Sequence, residues 1–207
     1  SSESKFSLKA DKILAEYKEA KANGVKGKVN LIGPITFLAL SKTTDGSCPF
    51  KHLDALVGEY KKLLEQISKL DDEILVQFDE PIFVTDKNES DLLPLITKVY
   101  NELTGVTNNV KIVFATYFEH AIKAVSEVAK TKIYGIALDF IHGKRNFEVL
   151  ETIKNSHLTL FAGVLDGRNI WKSNIDDKVK LVREISEKIG GKDFYIGTSC
   201  SLLHVPY

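Results

Sequence analysis

Six short apolar runs that alternate with helical patterns constrain the fold of this sequence more than any other feature. The runs are rich in β-branched and aromatic residues, and most are apolar on both faces, as in strands buried within a parallel sheet. They cover Val29 to Ile35, Ile74 to Phe78, Val110 to Ala115, Ile133 to Leu138, Leu158 to Leu165 and Phe194 to Gly197. A repeated strand–helix alternation predicts βαβ units and an α/β fold.

The segments between the runs predict helices, because apolar residues recur in them at spacings of three and four. Gly190-Gly191 follows the last of these segments and is expected to end its helix. The helical patterns lie within residues 13–22, 53–67, 92–103, 122–128, 147–153 and 175–189.

Polar residues stand just after almost every run, and they help to choose between an open doubly wound sheet and a (β/α)8 barrel. An open sheet concentrates function at one switch point, whereas a barrel uses the carboxyl ends of all its strands. The polar positions are Thr36, Asp79-Glu80, Thr116-Tyr117, Asp139, Asp166 and Ser199-Cys200-Ser201. Their presence along the whole series of runs favours the barrel.

The chain holds fewer units than a complete barrel requires. A (β/α)8 barrel typically needs about 250 residues, and this chain has 207 residues with six predicted strands. Its first predicted element is a helix and its last is a strand. We therefore predict a single domain over residues 1–207, a TIM (β/α)8 barrel truncated to strands three to eight. The unpaired edge of the Val29 to Ile35 strand then favours self-association.

Composition excludes several classes of protein. The chain carries 28 basic and 28 acidic residues, and its formal net charge of +0 argues against a nucleic-acid partner. No apolar stretch approaches the roughly 18 residues of a membrane span, and the polar start predicts no signal peptide. Cys48 and Cys200 are too few for a disulfide framework. These features predict a cytoplasmic protein, and the absence of methionine after a Ser1-Ser2 start suggests an excised piece.

The pair Asp79-Glu80, directly before Pro81 at the end of the second run, is the first candidate site. Two adjacent carboxylates at a barrel rim can bind an amine or a hydroxyl, or act as an acid–base couple. The alternative is a structural role in which a carboxylate accepts hydrogen bonds from neighbouring loop amides. The residues alone leave both interpretations open.

Asp139 ends the fourth run and has His142 three residues after it. A carboxylate and an imidazole in one loop can ligate a metal or relay a proton. A salt bridge between Asp139 and Lys144 or Arg145 is the preferred interpretation.

Asp166 begins a turn in which Arg168 and Trp171 follow. Asp166 can cap backbone amides or pair with Arg168, and Arg168 can clamp a carboxylate of a ligand. The preferred interpretation is a structural loop in which Trp171 is packed as an anchor.

Ser199 and Cys200 lie in the last polar segment, which ends at His204. Cys200 and His204 supply two metal ligands where zinc needs three or four, so no metal site is expected in this chain. No phosphate-binding glycine loop follows a strand, which disfavours nucleotide binding, and no cofactor is predicted. No catalytic residue is assigned, and the substrate-binding candidates are Asp79, Glu80, Asp139, Asp166, Arg168 and Ser199.

Six strings in this sequence, taken together and in order, resemble one family closely. They are Leu31-Ile32-Gly33-Pro34-Ile35-Thr36-Phe37-Leu38, Val76-Gln77-Phe78-Asp79-Glu80-Pro81, Ala115-Thr116-Tyr117-Phe118, Leu138-Asp139-Phe140, the segment from Ala162 to Trp171 and the segment from Thr198 to Pro206. The family is cobalamin-independent methionine synthase, and the resemblance is to its N-terminal half.

The resemblance implies an enzyme with two face-to-face (β/α)8 barrels that transfers a methyl group from 5-methyltetrahydrofolate, as a polyglutamate, to homocysteine. It implies a catalytic zinc in the C-terminal barrel, held by His, Cys, Glu and Cys, which lowers the pKa of the homocysteine thiol. The N-terminal barrel is then a scaffold on the folate side. Its partners are the C-terminal barrel of the same polypeptide, the folate polyglutamate and homocysteine.

This sequence departs from the zinc pattern of the family. The strand end that carries His-x-Cys in the catalytic half reads Thr116-Tyr117-Phe118-Glu119 here, and Cys200 stands alone. We therefore predict a fragment of the N-terminal barrel that is inactive by itself. The alternatives are a free-standing, non-catalytic binding module and an independent enzyme that uses Asp79, Glu80 and Asp139 at its rim.

Overall fold

The computed structural model describes residues 3–86, 89–203 and 205. Six parallel strands form one sheet, and each strand pairs with its neighbours in chain order. The strands are β1 (Val29–Ile32), β2 (Ile74–Asp79), β3 (Val110–Ala115), β4 (Gly135–Asp139), β5 (Thr159–Leu165) and β6 (Phe194–Thr198). The predicted α/β class is confirmed, and chain-order parallel pairing is the arrangement of a (β/α)8 barrel, here with six strands.

Helices fill the crossovers between the strands. They are α1 (Asp11–Ala22), α2 (Pro34–Leu40), α3 (Leu53–Ile67), α4 (Glu89–Thr104), α5 (Ile122–Val128), α6 (Leu150–Lys154) and α7 (Ile175–Lys188). Short 3₁₀ turns cover Pro49–His52, Pro81–Val84 and Lys144–Val149. In the described part of the chain, no helix is both long and apolar enough to cross a membrane.

Helix α2 is the element that the sequence prediction missed. The run Val29 to Ile35 is a strand only to Ile32, and the chain turns at Gly33 into a helix that begins with Pro34. Proline suits the first turn of a helix because its missing N–H has no helical partner there. The predicted helix over 147–153 also differs, since its first part is the 3₁₀ turn and α6 begins only at Leu150.

The hydrophobic core lies between the outer face of the sheet and the helices. On β2 the side chains alternate, so that Ile74, Val76 and Phe78 are buried against the helices while Gln77 and Asp79 are half-buried on the inner face. The inner faces of the strands line a cavity of about 570 Å³. The sheet therefore separates an apolar layer beneath the helices from a cavity whose wall carries both polar and apolar groups.

The two outer strands of the sheet each pair on one side only among the described residues. Strand β6 is the more exposed of the two, with Tyr195 50% and Ile196 57% exposed. The central strands β3 and β4 have mostly buried side chains. Unpaired N–H and C=O groups on an exposed edge can pair with another chain.

These edges lead us to expect self-association of the 207-residue chain. The weight-average mass in sedimentation equilibrium should rise with concentration, and Ile196→Lys, which places a charge on the exposed edge strand, should reduce the association. Val179→Lys is the control, because Val179 is 42% exposed on helix α7 and not on an edge strand. A wild-type chain that stays monomeric at every concentration would contradict the expectation.

Candidate functional site

The carboxyl ends of the six strands meet at one rim, where the loops surround the mouth of the cavity. Residues from all six strands or the segments next to them line this cavity. The rim is where parallel barrels place ligand-binding groups. All six residues predicted as site candidates belong to the strand ends or rim loops. Their side chains differ in whether they face the cavity or bond to the surrounding backbone.

Asp79 is the candidate carboxylate that faces the cavity. Its Oδ1 accepts a hydrogen bond of 2.7 Å from Gln77 Nε2, and Gln77 Oε1 in turn accepts one from Lys28 Nζ. Burial raises the pKa of the Asp79 carboxyl, while Gln77, Lys28 and the Tyr117 hydroxyl act in the opposite direction. Burial likewise lowers the pKa of the Lys28 ammonium. The inner wall therefore holds a carboxyl group and an amine that are linked through the Gln77 amide.

Thr116 adds an unpaired hydroxyl to the same wall. Its side chain is 2% exposed, it lines the cavity, and its Oγ1 has no hydrogen-bond partner among the described residues. An unsatisfied buried hydroxyl costs roughly 1–3 kcal/mol. A polar group that entered the cavity at this point would remove that cost.

Glu80 points away from the cavity into the helical layer, because adjacent residues of a strand face opposite sides. Its carboxylate accepts hydrogen bonds from Thr36 N at 2.7 Å, Ile35 N at 3.2 Å and the Tyr100 hydroxyl at 2.8 Å. The side chain is fully buried, and this burial raises its pKa to about 7 against the effect of those donors. Asp79 and Glu80 therefore do not form one paired site.

Asp139 organises the rim loops. Its carboxylate accepts hydrogen bonds from the backbone N–H groups of Phe118, Ile141 and His142 at 2.7–3.1 Å. The predicted salt bridge to Lys144 or Arg145 is wrong, because these amides occupy the carboxylate and Arg145 pairs with Glu148 instead.

Phe118, whose N–H donates to Asp139, has an unusual backbone conformation. Phe118 has φ +83°, the left-handed region that non-glycine residues seldom adopt. Its ring is 44% exposed, packs edge-on against Tyr117 and lies 5.1 Å below the guanidinium of Arg168. The Asp139 bond therefore fixes a strained residue in an exposed position at the rim.

Asp166 shapes the loop after β5. It accepts hydrogen bonds from Arg168 N at 2.8 Å, from the side chain of Asn169, and from His142 Nε2 at 3.2 Å when that nitrogen carries a proton. Burial raises the pKa of Asp166, but these hydrogen bonds outweigh it and the net shift is downward. The predicted packing of Trp171 is wrong: its side chain is 78% exposed, and its backbone N–H donates to Asn169 Oδ1 within the loop.

Ser199 closes the rim between β5 and β6. The residue is 4% exposed, its hydroxyl accepts from Gly167 N at 3.1 Å, and its own N–H donates to Leu165 O. Burial raises the pKa of the neighbouring Cys200 thiol. His204, the second ligand considered with Cys200, lies outside the described residues.

The side chains that the structure describes do not fit a zinc site. Across residues 3–86, 89–203 and 205, no three His, Cys, Asp or Glu side chains come together in a way that could hold a metal ion. Zinc requires three or four such ligands.

Sequence reasoning overlooked Lys28, Gln77 and Phe118. The alternation along β2 carried the signal for Gln77, since a side chain two residues before Asp79 must share its face. Lys28 precedes its strand by one residue, and it was not considered because the site candidates were taken from the residues after each apolar run. The sequence carries no signal for the left-handed backbone of Phe118.

The contact between Gly33 and Glu80 makes glycine necessary at position 33. A Cβ on Gly33 would lie 2.1 Å from the Glu80 Cδ, so Gly33→Ala should displace the buried carboxyl and cost roughly 1–3 kcal/mol of unfolding free energy. Gly58→Ala is the matched control: its Cβ meets nothing within 4 Å inside α3, and it should stabilise by about 0.5–1 kcal/mol. Urea denaturation measures both, and equal effects would refute the contact.

The role of Asp139 can be tested in the same way. Asp139→Ala leaves buried or half-buried amides without their acceptor, and we expect a loss of about 2–4 kcal/mol in unfolding free energy. Asp72→Ala, at an exposed loop carboxylate, should change it by less than about 0.5 kcal/mol. A stable Asp139→Ala variant would show that the rim does not depend on this carboxylate.

Comparison with known proteins identifies the family. The family model described as the cobalamin-independent synthase, N-terminal domain, matches residues 1–190. A 5-methyltetrahydropteroyltriglutamate–homocysteine methyltransferase of Desulforamulus reducens is 46% identical over 203 residues, which are 98% of this chain and 26% of that protein. The protein of the same name from Mycobacterium tuberculosis H37Rv is 37% identical, with the same coverage. The chain thus spans about a quarter of the length of these curated relatives.

Solved structures agree on the fold. A B12-independent methionine synthase from Shewanella sp. W3-18-1, in complex with selenomethionine, superposes with a TM-score of 0.77 at 14% identity over 96% of this chain and 61% of that one. A putative vitamin-B12 independent methionine synthase from Listeria monocytogenes gives a TM-score of 0.70 at 14% identity, over 96% and 65%. From its sequence match over residues 1–190, this chain belongs to the cobalamin-independent methionine synthase family, as part of the N-terminal domain.

Proposed function

We propose that this chain is the scaffold on the folate side of an enzyme that transfers a methyl group from 5-methyltetrahydropteroyltriglutamate to homocysteine, forming methionine. The observation that carries the proposal is the family match over residues 1–190. Relatives named for this reaction are about four times as long as the chain, since it covers 26% of their length. The activity is therefore assigned to a longer, cytoplasmic polypeptide with a C-terminal catalytic part.

The reactive chemistry belongs to that C-terminal part in this proposal. Its zinc would activate the homocysteine thiol as a thiolate, which is the attacking species in methyl transfer. The described residues of this chain do not fit a zinc site, and the carboxylates of Asp139 and Asp166 accept hydrogen bonds from backbone N–H groups. The domain of residues 1–207 then contributes a shaped surface and no catalytic group.

The rim supports such a role because its loops are held from within while apolar side chains face outwards. Asp139 fixes the loop after β3, and Ser199 joins the loops after β5 and β6. The exposed fractions are 44% for Phe118, 78% for Trp171 and 80% for Leu203. Exposed apolar side chains on a rigid frame are typical of a surface that another domain covers.

The predicted substrate-binding residues divide into two groups in this proposal. Asp79 and Arg168 remain candidates for direct contact, because Asp79 faces the cavity and the Arg168 guanidinium lies at the rim. Glu80, Asp139, Asp166 and Ser199 act as positioning residues, since their oxygens accept hydrogen bonds from the surrounding backbone. An independent enzyme built on Asp79, Glu80 and Asp139 has little support from this division.

A non-catalytic binding module is the second candidate. The cavity of about 570 Å³, with the unpaired Thr116 hydroxyl on its wall, favours it. The two proposals differ in whether the chain can replace the corresponding segment of an active relative.

A segment exchange tests the proposed function. When this chain replaces the matching 203 residues of the Desulforamulus reducens protein, we expect the hybrid to form methionine from the two substrates. The isolated chain, with zinc added, should form none. A folded hybrid without activity would favour the binding module, and methionine from the isolated chain would refute the scaffold role.

One variant of the hybrid tests the rim surface. Trp171→Ala should lower kcat/KM roughly fivefold or more, as the loss of a buried aromatic contact between domains does. Val25→Ala is the control, because Val25 is 57% exposed before the start of β1, at the opposite end of the barrel. Equal activity of the two variants would place the domain contact elsewhere.

A further inference from the structure

Phe118 and Arg168 form an exposed pair at the rim, one from the loop after β3 and one from the loop after β5. We propose that this pair is a docking point for the C-terminal part of the longer polypeptide. The Phe118 ring is then buried against an apolar surface of that part, and the Arg168 guanidinium pairs with one of its carboxylates. The inference rests on the proposed function, which supplies the part of the polypeptide that covers the rim.

The backbone of Phe118 is held in a conformation that costs free energy. Its φ of +83° lies in the left-handed region, where the Cβ of any residue except glycine crowds the backbone. The fully buried carboxylate of Asp139 fixes this conformation, because its Oδ2 accepts a hydrogen bond of 3.1 Å from the Phe118 N–H. Residues that the surrounding structure holds in this way are concentrated at functional sites.

The strained conformation places an aromatic ring where it adds little to the core. The ring of Phe118 is 44% exposed, and it contacts the Tyr117 ring with centroids 4.7 Å apart and the Arg168 guanidinium at 5.1 Å. A half-exposed phenylalanine gains only part of the burial free energy that could offset the strain. A partner that covered the ring would supply the rest.

The guanidinium of Arg168 has hydrogen-bond donors to spare. The Phe118 ring covers one face of the guanidinium, but the N–H groups lie in its plane and stay accessible. Three carboxylates of the rim loops contact other side chains, in the pairs Glu119–His120, Glu148–Arg145 and Asp166–His142. In the described part of the chain, no carboxylate pairs with the Arg168 side chain. The planar fork of donors fits a carboxylate, so the expected partner group is acidic.

The location of the pair favours a protein partner over a small molecule. Small ligands bind in concave cavities, and the described residues that line the cavity include neither Phe118 nor Arg168. Ile170 and Trp171, in the same loop as Arg168, are 64% and 78% exposed. Exposed aromatic and aliphatic side chains beside an arginine are typical of the centre of a protein interface. The chain covers 26% of the length of its relatives, which therefore contain polypeptide that can form the other side.

Unfolding of the 207-residue chain tests the strain at Phe118. Phe118→Gly and Phe118→Ala both remove the ring, but only glycine relieves the left-handed conformation. Urea denaturation should therefore give an unfolding equilibrium constant roughly fivefold smaller for Phe118→Gly than for Phe118→Ala. Phe37 is the matched control, because it is 39% exposed within α2, where the glycine variant should unfold about two- to fivefold more readily than the alanine variant. The same order of stability at both positions would overturn the inference.

Amide hydrogen exchange tests whether the pair is covered. The isolated chain at low concentration is compared with the hybrid that carries it in the Desulforamulus reducens protein, both without substrates. Exchange of the amides at 117–120 and 167–171 should be about tenfold slower in the hybrid, because a covered loop opens less often. Arg168→Lys keeps the charge but loses the fork, and it should raise these rates in the hybrid roughly fivefold. Arg183→Lys, at an exposed position on α7, is the control and should leave them unchanged.

The outcomes separate this inference from the proposed function. A hybrid that shows the slower exchange but forms no methionine would refute the proposed function alone. Equal exchange rates in the hybrid and the isolated chain would overturn the docking point, even if the hybrid is active. Slower exchange that requires added 5-methyltetrahydropteroyltriglutamate would also overturn it, since Arg168 would then pair with a substrate carboxylate.

Discussion

Parallel pairing of the strands in chain order is the constraint on which the rest of this structure depends. Each strand can pair with the next only if the chain crosses back along the sheet, and the crossovers supply the helices that cover its outer face. The same direction of all strands brings every carboxyl end to one rim. Core, cavity and candidate site are thus consequences of one pairing rule.

The rim shows how buried carboxyl groups can stabilise the surrounding backbone. Glu80 accepts hydrogen bonds from two backbone N–H groups and from the Tyr100 hydroxyl, and Asp139 accepts them from three backbone N–H groups. Such bonds satisfy donors that would otherwise be costly to bury, and they fix the paths of the rim loops. A polar rim can therefore be a device for holding a surface in shape. This interpretation agrees with membership in a family whose relatives are about four times as long as this chain.

The sequence predicted the fold better than it predicted the site. Apolar runs and helical stripes located all six strands and most helices because burial against the helical layer imposes regular spacing. Helix α2 was missed, since its residues Ile35 and Leu38 are as apolar as the strand before them. Asp79 and Glu80 look alike in the sequence, yet the alternation along β2 sends one into the cavity and the other into the core. The turn at Asp166 was predicted from the sequence, but the 78% exposure of Trp171 was not, because the packing of a side chain in a loop depends on distant parts of the chain.

Residue-resolved amide hydrogen exchange, on the monomeric chain at low concentration, tests most directly that this is an open, six-stranded part of a barrel. The account predicts strong protection for the amides of β3 and β4. It predicts fast exchange for alternate amides along β1 and β6, whose N–H groups point away from their only neighbouring strand. Uniform protection along both outer strands would mean that the sheet closes on itself, and it would contradict the account.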